Sequence, residues 1–173
     1  LFAKVIALKP AKYHARSLYR SGDCAANIGQ WPQSQKSYEQ LASQFPKFEQ
    51  IHEARYGLGF ALQKQNKLDA ARTMYESITK VTNTETAAKS RFMMGECAFA
   101  QKKFDKALED FLEAALGYPY QEWQVLGHFE AGRCFIQLKE LEKAKGELTA
   151  VVEKFPDHPR AKDAAQLLAG LKK

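Results

Sequence analysis

The fold is decided by residues 91–119, which read RFMMGECAFAQKKFDKALEDFLEAALGYP. Apolar residues recur here at spacings of three to five in two blocks, and the polar run 101–103 separates the blocks. This periodicity is typical of amphipathic helices. Pro119 closes the stretch, because a proline disfavours helical conformation in the residue before it. The stretch therefore predicts a helix, a tight turn, a second helix and a short loop.

The same arrangement occurs four times along the chain, around glycines that lie 37, 36 and 37 residues apart. An aromatic residue comes three positions before each glycine, a small residue twelve after it, and a large apolar residue sixteen after it. In chain order, the glycines are Gly22, Gly59, Gly95 and Gly132; the aromatics Tyr19, Tyr56, Phe92 and Phe129; the small residues Ser34, Ala71, Ala107 and Ala144; and the large residues Tyr38, Tyr75, Phe111 and Leu148. Such a fixed period indicates a repeat protein. We expect each glycine and the small residue of the next helix to let the two helices approach closely.

The repeats account for the chain as a single domain, residues 1–173. The predicted boundaries are 12–46, 49–83, 85–119 and 122–156 for the four repeats, 1–10 for the second helix of a truncated preceding repeat, and 158–171 for a capping helix. The capping helix is amphipathic, and we expect Arg160, Asp163 and Gln166 to face outward. Because the chain does not begin with Met, we expect it to be part of a longer protein.

These columns resemble those of the tetratricopeptide repeat (TPR) along nearly the whole chain. The aromatic residue before each glycine and the closing Phe-Pro pairs, Phe45-Pro46 and Phe155-Pro156, are similar to bacterial envelope TPR proteins of the Tol-Pal-associated and outer-membrane assembly lipoprotein types. The resemblance implies an all-α fold, a right-handed α-solenoid of helix-turn-helix repeats with a C-terminal capping helix. It favours the periplasm or cell envelope over the cytoplasm, although unpaired cysteines would also suit a reducing cytosol.

Composition and charge narrow the function classes. The 173 residues are 45% hydrophobic and 27% charged, which is typical of a globular protein. No apolar run approaches the roughly 20 residues that a membrane span needs, so we expect no transmembrane segment. The net charge is +6, but lysines alternate with acidic residues in runs such as 102–106 and 139–143. Because that pattern is typical of a solvated helix face, we do not expect nucleic-acid binding.

No motif indicates catalysis, a cofactor or a metal. Cys24, Cys97 and Cys134 each lie two residues after a repeat glycine. Equivalent positions in neighbouring repeats are roughly 10 Å apart, too far for a shared metal or a disulfide, so we interpret them as packing residues. The four histidines have no His or Cys partner at helical spacing. Phosphate-binding loops and nucleophile elbows are also missing, and we therefore expect no enzyme activity, no catalytic residues and no cofactor.

The remaining candidate site is the inner surface of the solenoid, where the first helices of TPR repeats usually bind peptides. Its predicted residues are Tyr19, Asp23, Asn27, Tyr56, Phe60, Lys64, Phe92, Glu96, Phe99, Phe129 and Arg133. Phe60 and Phe99 are the preferred contacts, and whether the aromatic residues before the glycines face the core or the groove stays open. Some TPR proteins bind chaperones through a clamp for a C-terminal carboxylate, and Asp23 argues against that subclass.

The sequence thus predicts a non-catalytic scaffold that binds a peptide or helix of a partner protein in its concave groove. The identity of the partner is not encoded in any motif. An alternative is an assembly module that stacks on another copy, or on the rest of its own chain, through an uncapped N-terminal end.

Overall fold

A computed structural model describes residues 11–171, which form nine α-helices and contain no strand. The predicted all-α class is confirmed. The predicted second helix of a preceding repeat, residues 1–10, lies outside the described residues, and so does the N-terminal end through which stacking was considered.

The helices follow one another in pairs with short connections. They are α1 Ala11–Asn27, α2 Trp31–Gln44, α3 Ile51–Lys64, α4 Leu68–Thr79, α5 Glu85–Ala100, α6 Phe104–Leu116, α7 Gln121–Gln137, α8 Leu141–Lys154 and α9 Pro159–Gly170. The chain divides into two compact units between Val81 and Thr82. The first unit contains α1–α4 and the second α5–α9. Within each unit, every helix packs on the next one in sequence, and the first helices of adjacent repeats also touch.

The turn inside each repeat has a left-handed residue seven positions after the repeat glycine. The four residues are Gly29, Asn66, Lys102 and Lys139, with φ between 58° and 72°. In each case the next residue donates its backbone N–H to a carbonyl five residues earlier, as Lys103 does to Ala98 at 2.9 Å. This is the Schellman motif, which satisfies carbonyls left free at a helix end. Gly29 and Asn66 suit the conformation, whereas the two lysines adopt it at some cost in free energy.

The nearest neighbour of each repeat glycine is a large side chain, and not the small residue that we expected opposite it. A Cβ atom on Gly22 would lie 2.7 Å from the ring of Tyr38, and one on Gly95 would lie 2.6 Å from the ring of Phe111. The partner is thus the large residue sixteen positions later. At Gly132 the backbone oxygen of Ala144 also lies 3.6 Å from the Cβ position, so the expected approach of the small residue occurs there, behind a closer contact with Leu148.

The small residues have a separate place in the core. Ser34, Ala71, Ala107 and Ala144 are all fully buried, as are three of the four large residues of the sixteen-later column. The large residues also contact the aromatic column: the ring centroids of Phe92 and Phe111 are 5.2 Å apart, and those of Tyr56 and Tyr75 are 5.5 Å apart. The columns seen in the sequence therefore form the core within a repeat, and that core continues into the next repeat, as where Phe92 and Phe111 cluster with Ala131 and Cys134.

The cysteines do not share one environment. Cys97 and Cys134 are fully buried, as the packing interpretation requires, but Cys24 is exposed. Cys134 packs in a cluster with Ala107 and Phe111 of the preceding helix α6. Cys24 lies on α1, and the structure describes no helix before α1 that would cover the same position. The packing interpretation is therefore wrong for Cys24.

The capping helix α9 covers the last apolar face of the second unit. Ala164 is fully buried against Val125, Phe129, Leu148 and Val151, and three leucines of the α9 segment pack at the edge of that cluster. His158 starts the helix: its Nδ1 accepts the backbone N–H of Arg160 at 3.1 Å, and its Nε2 lies 3.2 Å from a carboxylate oxygen of Glu122 on α7. One histidine thus caps α9 and links it to α7.

Candidate partner-binding surface

The first unit presents its predicted residues on α1 and α3, and we call this surface the α1–α3 face. Its residues are Tyr19, Asp23 and Asn27 on α1, and Tyr56, Phe60 and Lys64 on α3. Asn27 and Lys64 are exposed, and the other four are partly buried. All six predicted residues of this unit therefore keep some surface that a partner can contact.

Aromatic rings form the apolar part of the α1–α3 face. Phe60 stacks near Tyr56 with ring centroids 6.4 Å apart, and Trp31 of α2 contacts Phe60 edge-on at 5.8 Å. The ammonium of Lys64 lies 5.0 Å from the centroid of the Phe60 ring. Sequence reasoning missed Trp31 because it did not use the column nine positions after each repeat glycine. That column contains Trp31, Leu68, Phe104 and Leu141.

Asp23 belongs to a polar contact within the α1–α3 face. Its Oδ1 accepts a hydrogen bond from the hydroxyl of Tyr38 at 2.5 Å, and its other oxygen lies 3.7 Å from Arg20. Burial raises the pKa of the Tyr38 hydroxyl above its usual range, and the bond to Asp23 acts in the same direction. Asp23 therefore has a structural partner, and its negative charge remains unfavourable for a carboxylate ligand at this position.

The second unit presents its residues on α5, α7 and α9, and we call this surface the α5–α7–α9 face. Two of the predicted residues, Phe92 and Phe129, are only 9% and 4% exposed. These rings pack in the core. The sequence did not decide whether the aromatic residues before the glycines face the core or the groove. In the second unit they face the core, and in the first unit they are half-buried. Phe92 and Phe129 offer a partner little surface.

Charged residues dominate the α5–α7–α9 face. Arg133 donates to a carboxylate oxygen of Glu130 at 2.6 Å, and its guanidinium carbon lies 5.0 Å from the centre of the Phe99 ring. Burial raises the pKa of Glu96, and the neighbouring Glu130 raises it further, whereas Arg133 and Arg160 lower it. Glu96, Phe99 and Arg133 thus lie in one network, together with two residues that were not predicted.

Those two residues, Glu130 and Arg160, were missed for different reasons. Glu130 is only 5% exposed although it is charged, and its one sequence signal is its spacing of three from Arg133 on α7. Arg160 was expected to face outward, but its guanidinium carbon lies 5.0 Å from the centre of the Phe129 ring. The side chain is still 43% exposed, as expected, but it also lies over α7, and periodicity does not predict this contact between distant residues.

A cavity of about 380 Å³ lies between α7 and α9 on this face. It is lined by Phe129, Arg133, Arg160, Asp163, Gln166 and Leu167. Asp163 and Gln166 line its wall and keep exposed surface, as expected of outward-facing residues. A second cavity, of about 560 Å³, lies in the first unit beside Ala15 and the loop of Phe45, Pro46 and Phe48.

Two histidines of the described residues serve as links between helices. Within residues 11–171, no group of three or more His, Cys, Asp or Glu could hold a metal ion. His128 pairs with Glu147 at 2.7 Å and His158 with Glu122, so both rings link helices. None of the helices in that range is long and apolar enough to cross a membrane.

Solved structures of helical repeat proteins resemble this chain. A MamA protein superposes with a TM-score of 0.73 at 15% identity, over 91% of this chain and 82% of its own. A tetratricopeptide repeat protein from Parabacteroides merdae superposes with a TM-score of 0.76 at 16% identity, over 91% of this chain and 60% of its own. The apo form of RapI superposes with a TM-score of 0.79 at 14% identity, over 92% of this chain and 63% of its own. These likenesses confirm the predicted fold class, a TPR-like helical repeat.

Sequence comparison identifies the family of the chain. No curated protein sequence matches the chain significantly. The YfiO family, described as outer membrane lipoprotein, matches residues 11–173. This match confirms the resemblance to outer-membrane assembly lipoproteins that the repeat columns indicated. The chain belongs to the YfiO outer membrane lipoprotein family.

Proposed function

We propose that this protein is a non-catalytic scaffold that binds an extended segment or a helix of a partner protein on the first helices of its repeats. TPR-like proteins typically mediate protein–protein interaction and are generally not enzymes, which supports the coarse part of this proposal. The finer part, the surface, is supported by one observation above all. The α1–α3 face combines half-buried aromatic rings with exposed polar ends, as protein-binding surfaces do.

Phe60 is the best anchor on the α1–α3 face. Its ring is held on two sides by Trp31 and Tyr56, and Lys64 lies over it. An aromatic ring that is already fixed loses little entropy on binding, so its contact area contributes efficiently to affinity. Aromatic residues dominate the energetically important part of most protein interfaces.

Phe99 has a mixed role. Its ring contacts Phe104 at 5.2 Å and lies under Arg133, and it packs at the edge of the core of the second unit. Removing it therefore costs stability as well as contact area. Phe60 and Phe99 are tested together for binding, and the fold of each variant is checked separately.

The experiment compares the double variant Phe60→Ala, Phe99→Ala with the control double variant Val81→Ala, Leu116→Ala in pull-downs from the native host. Val81 and Leu116 are 62% and 72% exposed and lie outside the first helices of the repeats, so the control removes apolar surface elsewhere. We expect the first double variant to lose captured partner by roughly tenfold or more, since interface anchors contribute 2 kcal/mol or more each. Unchanged capture by a folded Phe60→Ala, Phe99→Ala variant would refute the surface assignment.

A further inference from the structure

We propose that two buried tyrosines of the first unit position the side chains that bind the backbone of an extended partner segment. The tyrosines are Tyr38 on α2 and Tyr75 on α4, and the side chains that they position are Asp23 on α1 and Gln63 on α3. Gln63 lies on α3 between Phe60 and Lys64, two residues of the α1–α3 face. The proposal rests on the proposed scaffold function and chooses an extended segment over a helix.

The hydroxyl groups of the two tyrosines are not needed for the packing of the second helices. Tyr38 and Tyr75 are 3% and 0% exposed. The same column of the repeat contains Phe111 and Leu148 in the second unit, which are fully buried and carry no hydroxyl. A buried hydroxyl needs a hydrogen-bond partner, so it adds a requirement at a position where an apolar side chain also packs. The two hydroxyls therefore indicate a role outside the core.

The ring of Tyr38 lies between the two first helices of the unit. A Cβ atom on Gly22 of α1 would lie 2.7 Å from this ring, and one on Gly57 of α3 would lie 2.6 Å from it. A ring that is packed this closely on both sides has little freedom to move. Its hydroxyl is therefore held in place on the α1–α3 face, where it donates to Oδ1 of Asp23 at 2.5 Å.

The two hydrogen bonds leave one acceptor and one donor group for a partner. The hydroxyl of Tyr75 donates to Oε1 of Gln63 at 2.9 Å, and the amide nitrogen of Gln63 has no partner within residues 11–171. This nitrogen carries two N–H donors. Oδ2 of Asp23 has only Arg20 near it among the described residues, at 3.7 Å, so it can accept a hydrogen bond. Asp23 and Gln63 are both partly exposed, and these groups are within reach of a ligand.

An acceptor and a donor on neighbouring helices match the backbone of an extended chain. Each residue of such a chain offers an N–H and a C=O, whereas a helix uses these groups in its own hydrogen bonds. The helices α1 and α3 touch, and packed helices are about 8–10 Å apart. An extended chain advances about 3.3 Å per residue, so Asp23 and Gln63 reach backbone groups about three residues apart. The expected occupant is therefore an extended segment whose N–H binds Asp23 and whose C=O binds Gln63.

The test uses a peptide selected from a random phage-displayed library for binding to the whole chain and for loss of binding to Phe60→Ala. Versions of this peptide carry an ester in place of one amide at a time, which removes a single backbone N–H donor. We expect one ester to weaken binding to the wild-type chain by about tenfold in calorimetric titrations, because a hydrogen bond to the charged Asp23 is lost. Asp23→Asn presents an N–H in place of the second oxygen, so it should bind the amide and ester forms of that peptide equally. Equal losses in the wild-type chain and in Asp23→Asn at every ester position would overturn the proposal.

Tyrosine variants test the positioning role. Tyr38→Phe and Tyr75→Phe remove only the hydroxyls, and Tyr120→Phe is the matched control in the second unit. We expect each of the first two to weaken peptide binding by about three- to tenfold and the control to change it little, because a side chain that is no longer held must be ordered on binding. In Tyr38→Phe the difference between the amide and ester peptides should also shrink, which a loss of stability alone would not cause. Wild-type affinity in both folded variants would contradict the positioning role.

The outcomes separate this inference from the scaffold proposal. If no selected peptide depends on Phe60, the surface assignment fails and this inference fails with it. If peptides depend on Phe60 but are insensitive to every ester and to both hydroxyls, or are helical when bound, only this inference fails. The conformation of the bound peptide is read from its nuclear magnetic resonance chemical shifts, which differ between extended and helical residues.

Discussion

At the scale of single residues, the repeat glycines show most directly how the sequence determines packing. Gly95 faces the ring of the fully buried Phe111. Gly146, in the middle of α8, has no atom within 4 Å of its Cβ position apart from its chain neighbours and the backbone of its own helix. The two glycines therefore have opposite requirements. The first is needed for close packing, and the second only adds flexibility to a helix.

We predict that Gly95→Ala destabilises the protein by about 1–3 kcal/mol, because its methyl group would overlap a ring that has no free space to move. Gly146→Ala is the control and should stabilise by about 0.5–1 kcal/mol, since alanine loses less entropy than glycine in a helix. Urea unfolding followed by circular dichroism measures both. Equal effects of the two substitutions would contradict the packing assigned to Gly95.

The cysteines give a second prediction at this scale. Burial raises the pKa of the Cys134 thiol to about 12, with a further rise from Glu130, and Cys97 is fully buried. Only the thiolate reacts with alkylating and disulfide reagents. We therefore expect a thiol reagent at pH 8 to modify Cys24 alone in the folded protein and all three cysteines after unfolding. Rapid modification of two or three thiols in the native state would refute this burial pattern.

The same pKa shift predicts weaker folding at alkaline pH. In the unfolded chain the Cys134 thiol loses its proton near pH 8.5, while in the folded protein it keeps the proton up to about pH 12. Between these values the unfolded state binds fewer protons, so the free energy of unfolding falls as the pH rises. Burial also raises the pKa of Tyr56, which adds to the fall at higher pH.

The measurement is the unfolding free energy at several pH values between 8 and 11. Cys134→Ala removes the titrating group and should make the decrease between pH 9 and 10 shallower. A pH dependence that is identical in the variant would show that Cys134 does not contribute.

At the scale of helices, repeat columns predict which residues are buried but not which distant helices meet. The columns of large and small residues correctly indicate the buried residues Phe111, Ala107 and Leu148, because these contacts recur within every repeat. Trp31, Glu130 and Arg160 were missed because the columns used for the prediction do not include them, and the ring contacts of Trp31 and Arg160 join different helices. The turn column at Gly29, Asn66, Lys102 and Lys139 was also missed, because two lysines obscure the preference for glycine or asparagine.

The capping helix gives a prediction at this scale. Ala164 is fully buried against α7 and α8, whereas its neighbour Ala165 is exposed. Ala164→Glu would place an unpaired carboxylate in an apolar core, so we expect α9 to detach and its backbone amides to exchange rapidly with deuterium. Ala165→Glu is the matched control and should leave exchange in α9 unchanged. Retained protection in the Ala164→Glu variant would contradict the docking of α9.

At the scale of the whole molecule, the repeat pattern predicts the fold class and the family resemblance, and the candidate surface only in part. Asn27, Lys64 and Arg133 keep accessible surface, as a partner-binding role requires, while Phe92 and Phe129 are core residues. Phe92 is covered by Phe111 of α6 and Trp123 of α7, and Phe129 packs in the cluster that Ala164 of α9 completes. Position in a repeat thus indicates which helix face a residue lies on, but its exposure depends on what packs over it.

Site-specific photocrosslinking tests the central claim, that partners bind the first helices of the repeats. A photoreactive phenylalanine derivative is placed at Asn27 or Lys64 on α1 and α3, and, as controls, at Lys36 or Glu109 on α2 and α6; all four positions are exposed. In the native host we predict that one partner crosslinks from Asn27 and Lys64 and is absent or at least about tenfold weaker from Lys36 and Glu109, because the interface anchors lie on the first helices. Crosslinks that occur equally at all four positions, or only from α2 and α6, would contradict the account.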